Sequence, residues 1–111
     1  MTINRVLLQM AVPVNLRGFR FMERALTLLQ TDPDTKITGL YLRVGREFGT
    51  SDKAAERQIR YAVEQAWERM PQGVREDLFG NSIPSGHRPT VGMFLRAALT
   101  SMAACEGRGV A

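Results

Sequence analysis

Residues 48–67 read FGTSDKAAERQIRYAVEQAW, a glycine turn that runs into a charged segment and ends on an apolar helix face. Gly49 suits the left-handed residue that closes one helix, and Thr50, Ser51 or Asp52 can cap the next. Past the turn, Ala55, Ile59, Ala62, Val63, Ala66 and Trp67 recur at helical spacing along one face, while Lys53, Glu56, Arg57, Arg60 and Glu64 fall on the other. Upstream, Gly39 to Phe48 reads as a shorter helix capped by Thr38 and buried through Leu40, Val44 and Phe48. Gly45 stands where a larger side chain would hold the two helices apart, and Phe48 and Ala55 can close the angle between them. A short helix, a tight glycine turn and a longer helix over about 52–69 make a helix-turn-helix.

Such a pair projects the first turns of its second helix outward, and a helix of that width fits the major groove of B-DNA. Arg57 or Arg60 can grip a guanine edge with a planar fork, Glu56 can accept from a cytosine amino group, and Lys53 can neutralise a phosphate. Spacing alone leaves a second reading open. The same charges make an ordinary solvated helix face, with Glu56 and Arg60 as an i, i+4 pair.

The rest of the chain reads as helical too. Val6, Leu7 and Met10 form a face of a first helix that stops before Pro13. From Leu16, LRGFRFMERALTLLQ places Leu16, Phe19, Met22, Ala25, Leu26 and Leu29 on one stripe of a second helix. Asp32 and Asp34 around Pro33 supply turn chemistry. After the long fourth helix, which ends near Met70, Val74 to Phe79 reads as a short fifth. The loop GNSIPSGHRP leads to a sixth helix that Pro89 can begin, carrying Met93, Phe94, Ala97, Ala98, Met102 and Ala103. The expected architecture is all-α, a compact six-helix single domain over residues 1–111 that contains the helix-turn-helix.

Composition narrows the class. The net charge is +4, and of 15 cationic residues only Lys36 and Lys53 are lysines, which favours an anionic partner. The lone Cys105, read as an inert residue near the chain end, excludes an internal disulfide and a cysteine-based zinc site. The N-terminal apolar run is too short for a membrane span, so a cytoplasmic protein without membrane attachment is expected. His87 has no second histidine or cysteine nearby, and no nucleophile, base or phosphate-cradling loop is evident; no enzyme activity, metal or cofactor is expected. Trp67, with its apolar neighbours, reads as a core anchor rather than a base-stacking platform. Arg17 and Arg20 flank Gly18 at the start of the second helix, where either can face phosphate or solvent.

VPVNLRGFRFMERAL, the 48–67 stretch, and DLFG followed by RPT resemble the C-terminal DNA-binding effector domain family of the sporulation regulator stage-zero sporulation protein A, from about Asn4 to Glu106. Glu56, Arg57, Ile59, Arg60, Ala62, Glu64, Ala66 and Trp67 match that family's recognition helix. The resemblance implies a six-helix effector that reads a short box of double-stranded DNA. Glu56, Arg57 and Arg60 would stand at base-reading positions and His87 and Arg88 near the DNA backbone; Ser51 and Lys53 at the helix start, and Arg17 by its place on the second helix, complete the DNA-binding candidates. Where the family carries a base-contacting arginine, this chain has Ala54. It further implies RNA polymerase sigma-factor contact through about Met70 to Ile83, and homodimers on tandem sites with the sixth helix supplying the contact. The family's phosphorylated receiver domain is not expected here, and control through constitutive binding, another chain, a ligand or synthesis level is expected instead. The rival reading is a stand-alone protein-interaction module that pairs with a full-length regulator or sigma factor without reading DNA.

Overall fold

In the computed structural model, which describes residues 2–110 and side chains as far as Ala104, the described residues form six helices and no strand. They are α1 (Ile3–Gln9), α2 (Arg17–Thr31), α3 (Ile37–Glu47), α4 (Asp52–Arg69), α5 (Gln72–Phe79) and α6 (Val91–Val110). Cys105 lies outside the described side chains.

α2 is the hub, packed against α1, α3, α4 and α6. That position explains why it buries more than the stripe its periodicity shows: Phe21 and Leu28 are enclosed along with Phe19, Met22, Ala25, Leu26 and Leu29, whereas Leu16 is only half-buried. One apolar cluster spans the fold, drawing Val6, Leu7 and Met10 from α1, Leu40 and Val44 from α3, Ile59 and Val63 from α4, and Phe94, Leu95 and Met102 from α6. No polar or charged described residue is buried with it.

The helix ends follow local chemistry. Thr2 caps α1 by accepting from the Arg5 amide at 3.2 Å. α1 closes in a Schellman turn, with the Val12 amide donating to Leu7 and the Ala11 amide to Leu8, both at 3.0 Å. This turn forces Ala11 to φ 65°, a conformation that favours glycine. Asp32 makes the expected turn after α2 by accepting from the Asp34 amide.

Several boundaries correct the sequence reading. α3 begins at Ile37, two residues before Gly39, so Thr38 lies inside the helix and Lys36 occupies the cap position without a side-chain bond. Phe48 is 39% exposed, stacked at 4.7 Å on the Phe21 ring rather than enclosed. Pro89 does not open α6: the Thr90 hydroxyl caps it by accepting from the Met93 amide at 3.1 Å, and the helix starts at Val91. On α6, Leu95 is buried and Ala103 exposed, because the face that meets the core includes the position after Phe94.

Candidate nucleic-acid interface

The connection from α3 to α4 is a Schellman turn locked onto a capped helix start. The Thr50 amide donates to Gly45 at 2.7 Å and the Gly49 amide to Arg46 at 3.2 Å, with Gly49 at φ 69°. A Cβ on Gly45 would lie 2.9 Å from the Thr50 carbonyl oxygen and 2.8 Å from that of Ser51, so the chain folds back over a residue that must lack a side chain. Ser51 then starts α4, its hydroxyl accepting from the Ala54 amide at 3.0 Å. The acceptor role of this hydroxyl is thereby used within the helix. Its proton remains available to an outside acceptor.

A second close approach sets the other side of α4. A Cβ on Gly18 would overlap the Gln58 carbonyl oxygen and lie 2.7 Å from the Ala62 Cβ, so α2 and α4 meet backbone to backbone. Sequence reasoning missed this contact, seeing Gly18 only as the residue between two arginines. A glycine inside a strongly apolar helix is the signal that could have found it.

With both seats occupied, α4 buries Ala55, Ile59, Ala62, Val63 and Ala66. Lys53, Arg57 and Arg60 are exposed on the opposite side, with Glu56 half-buried beside them. Glu56 Oε1 accepts from Arg60 Nη1 at 2.8 Å, the i, i+4 pair that spacing suggests. Both lie near Tyr41 on α3, whose hydroxyl is raised above the ordinary tyrosine value, first by burial and then by Glu56, with Arg60 opposing. Among the described residues, Lys53 and Arg57 make no ion pair. Ala54 is half-buried on the flank of the helix.

Tyr61 belongs to this surface and was not anticipated. It is 49% exposed, four residues after Arg57, so the two side chains stand one turn apart on the outward face. The i, i+4 spacing from Arg57 was legible in the sequence.

The remaining candidates lie on two flanks. Arg17, at the first turn of α2 beside the Gly18 seat, is exposed, with its guanidinium 5.5 Å from the Phe21 ring centroid. Val14, Arg20 and Phe48 complete a shallow depression there. On the other flank, Arg88 Nη1 stands 3.5 Å from Glu64 Oε2 of α4. Gln58 and Glu64 are six positions apart, which turns them by about 120° around the helix. His87, beside Arg88, is exposed, its Nδ1 3.3 Å from the Ser85 carbonyl oxygen.

Trp67 anchors the far end of α4, as its neighbours suggested, but is only half-buried. Phe79 meets its ring edge-on at 5.5 Å, and the Arg75 guanidinium covers a face at 4.2 Å while donating to the Trp67 carbonyl. With Arg75 over one face and Phe79 against it, the half-buried tryptophan serves as an anchor rather than a base-stacking platform.

No helix of the described residues is long and apolar enough to cross a membrane. Compared with known protein families, the chain matches the sporulation initiation factor Spo0A C-terminal domain over residues 3–102. It belongs to that family. The Spo0A C-terminal family is one of DNA-binding effector domains of transcription regulators, not of enzymes, and the all-helical fold agrees with it. The chain is accordingly a DNA-binding regulator domain.

Proposed function

We propose that the protein reads specific double-stranded DNA by laying α4 in the major groove. The observation that carries this reading is the placement of Lys53, Arg57 and Arg60 on the exposed side of a helix whose direction two close glycine contacts determine. Arg57, unpaired among the described residues, is the base reader, suited to guanine. Glu56 holds Arg60 in one direction, which reduces the rotamer freedom Arg60 would lose on binding a base or phosphate. Lys53, Ser51 and the amides of the first α4 turn face phosphate. Arg17 on one flank and His87 with Arg88 on the other contact the DNA backbone beside the groove.

Ala54 leaves one family reading position without a long side chain, so the box this chain prefers differs at the base pair that position meets. By the same family reasoning, α5 and its following loop, where Glu76 and Asp77 are exposed, meet RNA polymerase sigma factor, and copies of the chain pair on tandem boxes. The setting is cytoplasmic.

Selection of bound duplexes from a random pool, followed by titration of the selected duplex against salt, tests the reading. Neutralising about five phosphates gives a log–log slope of about −4 to −5. A pool that yields no common box, with binding equally weak on all sequences, would instead favour a module that acts through protein contacts alone.

A further inference from the structure

Arg88 has one anion beside it, Glu64, and the proposed function offers it a second, a DNA phosphate. Its guanidinium is 3.5 Å from Glu64, and neither partner is enclosed, the side chains being 52% and 33% exposed. Glu64 lies seven positions, or two turns, beyond Arg57, on the outward side of α4 that the proposed function sets against the duplex. A carboxylate there opposes phosphate unless something neutralises it. In the free protein Arg88 does so.

The loop that carries Arg88 is fixed at its base and free at its tip. Pro89 is buried and Thr90 caps α6, whereas Asn81, Ser82 and the residues from Pro84 to Arg88 are exposed. Gly80 and Gly86 take positive φ, 55° and 80°, with open space around both. Among the described residues the ion pair with Glu64 is the charged tether of this tip to the recognition helix.

We infer that Glu64 is a positioning residue: it parks Arg88 beside α4 in the free protein and gives it up to a DNA phosphate on binding. The loop contact is then an exchange of one anion for another. Phosphate wins because it accepts two parallel guanidinium hydrogen bonds, and because a duplex presents many phosphates at once. The exchange rests on the DNA reading above, and it sets a cost: breaking an exposed pair lowers affinity by a factor of about 1.5 to 5.

A double-mutant cycle on the selected duplex at 0.15 M salt tests the exchange, since screening over about 8 Å weakens the uncoupled effect of a single surface charge. Glu64→Gln is expected to tighten binding with Arg88 present by about 1.5- to 5-fold more than in the Arg88→Ala background, where only relief of carboxylate–phosphate repulsion remains. Equal tightening in both backgrounds would show plain charge repulsion and overturn the exchange, as would no tightening, or weakening, with Arg88 present. Failure of the unmodified protein to bind any duplex overturns the DNA reading and the exchange together. Normal binding without coupling overturns the exchange alone.

Discussion

The turn at 48–51 and the loop at 80–90 both deliver chemistry to α4, and they are built in opposite ways. Four residues make the first, held by two backbone hydrogen bonds, a hydroxyl cap and a glycine with no room for a methyl group. Eleven residues make the second, with an exposed tip, two open glycines and an exposed ion pair. Backbone bonds determine where the first turn of α4 points, so Lys53 and Arg57 leave the helix in a direction set by the main chain. On the proposed reading, the loop instead supplies cations that can follow their target. Base discrimination needs the first arrangement, because a bidentate contact tolerates little angular error, while a phosphate grip works with the second.

The sharpest way to break the contrast is Gly45→Val. Its Cβ would press on two carbonyl oxygens of the turn, so a loss of about 1–3 kcal/mol in urea unfolding is expected, with specific DNA binding lost more than random binding. Gly86→Val in the loop meets open space and should cost only its positive φ, about 1–2 kcal/mol, without changing specificity. Arg57→Ala then compares the two regions as readers. It should lose about 1–3 kcal/mol on the selected box and relax preference at one base pair, whereas Arg88→Ala should weaken binding on every sequence and flatten the salt slope by about 0.9. Equal losses of Arg57→Ala on specific and random DNA would demote Arg57 to a phosphate contact.

Exchange between the two Schellman turns sharpens the role of conformation alone. Ala11→Gly should stabilise the fold and Gly49→Ala destabilise it, each by about 1 kcal/mol, since both positions hold the left-handed conformation and Gly49 has no neighbour within reach of a Cβ. Thermal melts at matched conditions show both shifts. The smallest effect is expected from pH. Two hydrogen bonds from Arg24, at 2.6 and 2.9 Å, hold the Glu47 carboxyl below its ordinary value, and α2 is thereby tied to α3. A depressed carboxyl contributes stability above its unfolded pKa, about 4.3, and loses it as pH falls through the lower folded value. Arg24→Ala should therefore melt slightly below the unmodified protein at neutral pH, with the gap closing as the solution is acidified.

Periodicity made the helices legible, because an apolar stripe is written once per turn whatever it packs against. The width of the stripe was not legible for α2: Phe21 and Leu28 are buried only because four other helices surround it, a fact of tertiary arrangement. Phe48 fell the other way: as the residue that caps the end of α3 it stays 39% exposed, with its ring 4.7 Å from that of Phe21. At the site, Lys53, Arg57 and Arg60 were readable from their phase opposite Ala55 and Ile59. Glu64 as the partner of Arg88, and Gly18 as the seat of Gln58, depend on segments 24 and 40 residues apart in the chain, and no local pattern encodes such distances.

Because α2 meets α4 at Gly18 with no room for a side chain, any larger residue there would push the start of α2, and Arg17 with it, away from α4. On the proposed reading, retargeting to another operator then proceeds by exchanging side chains at 54 and 57, with the phosphate contacts of Ser51 and Lys53 left in place. The scaffold behaves as a typewriter whose carriage stays put while the keys are swapped.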